Sequence, residues 1–113
     1  MVVRLLVHSL GYRYRLHDKK LPGKPDLVFP RLKKVIFVHG CFWHRHPKMS
    51  CKLTRTPKSK VGFWNEKFRK NQLNDRQVQT AIKELGWESM VIWECEIRDD
   101  EYLTDKLKHY LGV

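Results

Sequence analysis

Four consecutive apolar residues, Val35-Ile36-Phe37-Val38, lie between Lys34 and the His39-Gly40 pair. A strand apolar on both faces has no side to give to water, so this run points to the middle of a sheet covered above and below. The neighbouring segments fit an α/β chain with a small mixed sheet and helices on both sides. Residues 2–10 read as a helix with Leu5, Leu6 and Leu10 as its stripe and Gly11 as its stop. Tyr12-Arg13-Tyr14-Arg15-Leu16 alternates as a half-buried strand, residues 18–24 are turn chemistry around Pro22-Gly23, and Leu27-Val28-Phe29 is a strand closed by Pro30. From Cys41 to Gly62 no period is visible, which reads as a long loop in need of a staple. A helix follows from about Phe63 to Leu85. Its Val78, Ala81, Ile82 and Leu85 would pack, its polar first half would face a ligand, and Gly86 would end it. Ser89 to Trp93 reads as a strand, with Trp87 and Trp93 in the core. Asp99-Asp100-Glu101 opens a last helix lined by Tyr102, Leu103, Leu107 and Tyr110.

Charge is distributed unevenly over the 113 residues. Residues 1–44 carry nine Lys/Arg against two Asp/Glu, and residues 45–76 carry ten against two. Residues 77–113 carry four against eight, and the whole chain is +11. Such a field fits a polyanion, with nucleic acid ahead of an anionic membrane because no basic amphipathic helix stands out at the termini. The length suits one domain, and no apolar run approaches the ~20 residues of a membrane span. No secretory signal pattern opens the chain, and three cysteines do not make a disulfide framework, so a cytoplasmic protein is expected.

The chemistry-bearing residues are concentrated after the central strand. His39, Cys41, His44 and His46 fall within eight residues, Cys51 follows, and Cys95 ends the last strand. Cys41, His46, Cys51 and Cys95 would supply the four ligands of a structural zinc site, or else be buried thiols beside a surface histidine. A zinc ion joining three loop residues to a distant strand end would be the missing staple. His39 and His44 are then left for proton transfer or contact with a metal-held water, or are ordinary satisfied polar groups. Asp26 is one of two acids in the first 44 residues. It is either a charge partner for Lys24 or a ligand for a hard cation such as Mg²⁺. Phe42, Trp43, Phe63 and Trp64 sit among lysines and arginines, which suits base stacking or wedging as well as core packing.

Leu21-Pro22-Gly23-Lys24-Pro25-Asp26, then Val35 to His44 with its His39-Gly40-Cys41-Phe42-Trp43-His44 block, then Phe63-Trp64 with Lys67 and Asn71, then Val91-Ile92-Trp93-Glu94-Cys95, resemble the very short patch repair DNA mismatch endonucleases. The likeness runs in the same order through nearly the whole chain. It implies a restriction-endonuclease-like fold with a structural zinc site. It also implies a bacterial, cytoplasmic, nucleoid-associated monomer that nicks double-stranded DNA beside a T·G mismatch, with mismatch-repair proteins as further partners and no membrane. By position, the resemblance makes Asp26 the Mg²⁺-binding carboxylate and Val38 the donor of a backbone carbonyl to that ion. It makes His39 and His44 the active-site histidines, with His44 the general base, and Cys41, His46, Cys51 and Cys95 the zinc ligands. Phe42, Trp43 and Trp64 become the intercalating aromatics, and Lys67 and Asn71 the contacts to the mismatched pair. The family also carries an N-terminal segment whose acidic residue supports the site. An ungapped match sets that acid just ahead of Met1, so residues 1–113 are read as one endonuclease domain lacking the segment. The competing expectations are a catalytically impaired DNA-binding domain of the same fold and a related nuclease with a different substrate.

Overall fold

The computed structural model describes residues 2–16, 20–46 and 58–112. In chain order the elements are α1 (Val2–Ser9), β1 (Arg15–Leu16), β2 (Leu27–Phe29), β3 (Lys34–His39), α2 (Cys41–His44), α3 (Val61–Glu84), β4 (Glu88–Trp93), a 3₁₀ turn (Glu94–Arg98) and α4 (Asp100–Leu111). The four strands stand in the order β1-β2-β3-β4. The first three are antiparallel, and β4 joins β3 in parallel, with His39 beside Trp93. A parallel neighbour needs a crossover, and α3 supplies it.

The alternating directions of strand side chains divide the core into two layers. Leu27, Phe29, Ile36 and Ile92 face α1 and α4, where they meet Val3, Val7, Leu103, Leu107 and Leu111. Val28, Val35 and Phe37 face α3, where they meet Ile82, with Val78, Trp87 and Val91 packed alongside. The central position of β3 and helices on both faces therefore hold as expected. Gly86 ends α3 as expected, at φ +82, with Trp87 N–H donating to Ile82 O at 3.2 Å. A left-handed residue there costs glycine little, because it has no Cβ. Asp99 caps α4 through Oδ1, which accepts from Tyr102 N–H at 3.0 Å. The Tyr110 hydroxyl donates to Val35 O at 2.9 Å and ties α4 to the central strand.

Four expectations need correction. The stripe of α1 is Val3, Leu6, Val7 and Leu10, while Leu5 is 64% exposed. Those four positions fit the 3.6-residue period, and phase outweighs side-chain size. In α4 the buried residues are Leu103, Leu107 and Leu111, while Tyr102 is 51% exposed for the same reason. The alternating segment Tyr12 to Leu16 pairs only at Arg15–Leu16. Tyr12 and Tyr14 instead lay their rings against Phe29, at 6.4 and 6.5 Å between centroids. The stretch read as a structureless loop from Cys41 begins with the single helical turn α2 and ends in α3 at Val61. Residues 47–57, Cys51 among them, lie outside the described residues.

Leu107 and Tyr102 test the α4 phase. Leu107→Ala should lower the unfolding free energy by about 2–5 kcal/mol through the cavity it leaves. Tyr102→Ala should stay within about 0.5 kcal/mol of the parent. Urea denaturation of both variants measures the contrast.

Candidate active site

β3 and β4 run in the same direction, so their carboxyl ends finish side by side. Open α/β sheets place ligands at such ends. Here a cleft of about 240 Å³ opens, lined by Lys24, Asp26, His39, His44 and Asp75 among others. Asp26 precedes β2, and its Oδ2 accepts the Val38 N–H at 2.7 Å. Continuing the β2–β3 register by two residues sets Pro25 opposite Val38. Proline has no N–H, so the ladder offers the Val38 carbonyl no donor from that strand. Val38 thus lines the cleft with its N–H held by a carboxylate.

His39 ends β3 and His44 ends α2. The intervening helical turn folds the second imidazole over the first, at 3.9 Å between centroids and 10° between planes. His44 Nδ1 lies 2.7 Å from Asp75 Oδ2, which comes from the middle of α3. His39 is 7% exposed, and its Nδ1 has no hydrogen-bond partner among the described residues. A buried polar atom left so is costly, about 1–3 kcal/mol, and points to a missing ligand. His39, His44 and Asp75 bring their donor atoms within 4.8 Å of one another, close enough to share a metal ion or an ordered water.

Asp75 is the residue that the sequence reading missed. It lies four residues after Asn71, three before Val78 and seven before Ile82, on the α3 face that meets the sheet. It is also one of two acids in the basic stretch 45–76. That scarcity, the signal that singled out Asp26, is weaker here because the neighbours of Asp75 on α3 are themselves polar.

A second donor group lies behind α2. Arg45 ends the helical turn at φ +53, and His46 N–H returns to Cys41 O at 3.1 Å. This reversal sets Cys41 Sγ 3.7 Å from His46 Nδ1. Cys95, in the 3₁₀ turn after β4, brings its Sγ to 3.4 Å from the same nitrogen. Tetrahedral ligands at about 2.0–2.3 Å from zinc stand roughly 3.3–3.8 Å apart. The three donors therefore fit zinc in both type and spacing; the fourth expected ligand, Cys51, lies outside the described residues. The turn that carries Cys95 is braced by Glu96, which accepts from Trp93 N–H at 2.9 Å and from Lys106 Nζ at 2.7 Å.

Trp93 is only half-buried. It is not the plain core residue expected: it stacks on His46 at 4.4 Å and meets His39 edge-on at 5.3 Å. The parallel register places it there, between the two donor groups.

The expected aromatic residues do gather. Phe42 meets Trp43, Trp64 and Phe68 within 5.7 Å, and Trp43 meets Trp64 at 5.5 Å. Trp43 is 47% exposed and Phe63 54%, so the cluster shows an apolar edge to solvent. Arg45 stands 4.2 Å over Phe68 and Lys67 5.3 Å over Phe63. Asn71 donates from Nδ2 to the Trp43 carbonyl at 3.2 Å, which fastens α2 to α3. Among the described residues no helix is long and apolar enough to cross a membrane.

Burial, and next the charge of His44, hold the His39 pKa below the ordinary value of 6.5, with Asp75 and Asp26 pulling the other way. The unfolded chain takes up that proton at a higher pH than the folded one. Stability is therefore full above about pH 6.5 and falls as the pH drops below it. His39→Gln should flatten this acid limb, as measured by chemical denaturation across about pH 5 to 7.5.

Residues 1–52 match the sequence profile of the family described as DNA mismatch endonuclease Vsr. Type II nicking enzyme V.XorIIP of Xanthomonas oryzae pv. oryzae is 45% identical over 109 residues, covering 96% of this chain and 78% of that protein. Type II nicking enzyme V.NmeAIP of Neisseria meningitidis serogroup A is 39% identical over 107 residues, covering 95% of this chain and 74% of that protein. DNA mismatch endonuclease Vsr of Escherichia coli K12 is 43% identical over 101 residues, covering 89% of this chain and 63% of that protein. The mixed four-stranded sheet between helices agrees with the nuclease fold that such relatives imply. With the cleft, its paired imidazoles and these similarities together, the chain belongs to the Vsr family of DNA endonucleases.

Proposed function

We propose that this chain hydrolyses one strand of duplex DNA beside a T·G mismatch, using Mg²⁺ in the cleft and Zn²⁺ as a structural ion. The observation that carries the reading is the His44–Asp75 pair, stacked on buried His39 in the cleft that also holds Asp26. A neutral imidazole has one N–H and one lone pair. With the Nδ1 hydrogen donated to Asp75, His44 keeps the lone pair on Nε2, and Asp75 stabilises the imidazolium formed when that nitrogen takes a proton. His44 is thus suited to accept the proton of an attacking water. The water oxygen forms the new P–O bond as the bond to the leaving sugar oxygen breaks. His39 stays neutral in its buried place and limits the tilt of the His44 ring. Asp26 and the Val38 carbonyl are the groups that would hold a hard divalent cation, which would offset charge on the phosphate and the departing oxygen.

Cys41, His46 and Cys95, with Cys51, would hold zinc and so fix α2 to the end of β4. Phe42, Trp43 and Trp64 form the wedge that would enter the duplex at the mismatch, with Lys67 and Asn71 beside it on α3. Mismatched pairs unstack at lower cost, which favours a wedge there over matched sequence. The names of the relatives as nicking enzymes and as a mismatch endonuclease support the same substrate class.

Purified protein with Mg²⁺ should nick one strand of a T·G-mismatched duplex faster than its matched counterpart. His44→Ala and Asp26→Asn should each lower the single-turnover rate by roughly 10²-fold or more, with zinc content unchanged. Equal rates for both variants and wild type would remove the site assignment; equal rates on matched DNA would remove the mismatch preference. Cys95→Ala should instead lose zinc, read by atomic absorption, and melt at a lower temperature. Trp43→Ala should weaken binding to the mismatched duplex by about 1–3 kcal/mol, measured by fluorescence anisotropy.

A further inference from the structure

The loop from Leu21 to Pro25 leads into β2 along the wall of the cleft. Gly23 has φ +74 and Lys24 has φ +49, so two successive residues are left-handed. The Lys24 N–H donates to Leu21 O at 3.3 Å, and the next residue, Pro25, is fully buried. A Cβ on Gly23 would come within 2.4 Å of a Val78 methyl, so the loop backbone lies directly on α3. The turn is thus pinned by α3 on one side and by the buried proline on the other. Glycine takes such a conformation at little cost; lysine does not, and asparagine would suit the position better on backbone grounds. Lys33, Arg45 and Lys60 share this conformation, so what sets Lys24 apart is a reason outside the backbone.

The cleft supplies one. Lys24 is exposed and is the one lysine or arginine among the described residues lining it, alongside Asp26, Asp75 and the two histidines. The sequence left open that Asp26 is its charge partner. Among the described residues, however, no salt bridge joins Lys24 to either acid. Two carboxylates and a phosphodiester bring more negative charge into one small space than a single divalent cation offsets, and more gathers on the phosphoryl oxygens as the new bond forms.

We propose that the left-handed turn at Lys24 delivers its ammonium to the phosphate that is cut, where it contacts a non-bridging oxygen. This rests on the nuclease reading above, and it makes Lys24 a catalytic residue of that site. Lysine is a compact point charge able to serve a phosphate in this way.

Lys24→Gly removes the ammonium and suits the backbone; Lys24→Arg keeps a cation. Lys24→Gly should melt no lower than wild type, yet nick a T·G duplex roughly 10²-fold more slowly in single turnover. Lys24→Arg should recover most of that rate. Binding to the same duplex without divalent metal gives a second readout. The slope of log K against log salt should be shallower by about 0.9 in Lys24→Gly, as expected for one lost phosphate contact. In His44→Ala the slope should not change. Wild-type nicking with full activity and an unchanged slope in Lys24→Gly would overturn the proposal and leave the nuclease reading standing. A wild type that binds but never nicks would overturn the catalytic role together with that reading, and the slope would still decide whether Lys24 touches DNA.

Discussion

The candidate site depends on the parallel pairing of β3 with β4. An antiparallel partner would have ended at the opposite edge of the sheet. Because the two strands run together, His39 finishes beside Trp93, and the chain beyond each strand turns over the same end. The paired imidazoles and the Cys41, His46 and Cys95 donors then lie within one or two turns of those ends, on α2 after β3 and the 3₁₀ turn after β4, while Asp26 and Asp75 reach the cleft from the start of β2 and from α3. The pairing rests on packing of both faces, with Ile36 and Ile92 against α1 and α4, and Val35 and Phe37 against α3. The apolar run that defines β3 is therefore also what brings the donor groups together.

α2 divides the chemistry by direction. Within four residues it buries Cys41, turns His44 onto His39 and leaves Trp43 half in solvent. Soft donors go to one side, the imidazole pair to another and the aromatic edge to a third. α3 receives all three, with Asp75 bonded to His44, Asn71 bonded to the Trp43 carbonyl, and Trp64 and Phe68 packed on Phe42. The polar first half of α3, read from sequence as the ligand-facing part, is thus partly occupied in holding α2.

Much of this was legible in the residues. The unbroken apolar run gave β3, turn chemistry placed the loop before Asp26, and the phase of Val78, Ala81 and Ile82 with Gly86 gave the packed half of α3. The cluster from His39 to His46 marked the end of the sheet where the cleft and both donor groups lie. Other features were hidden for physical reasons. A helix of one turn is too short to show a period, so α2 read as loop. Asp75 sits among polar neighbours on a long helix, where one inward-facing acid looks like another solvated charge. Trp93 looked like core because strand tryptophans usually are; only the register with β3 sets it between His46 and His39. In α1 and α4 the error was one of phase, with the largest side chains favoured over those in step.

The brevity of α2 has a consequence for how such chains can vary. Each residue added to a helix rotates the residues after it by about 100°. One insertion between Cys41 and His44 would swing the imidazole away from Asp75 and carry the wedge with it, and so short a coil has no further turns over which to absorb the error. Drift in length should accordingly be refused between Cys41 and His46.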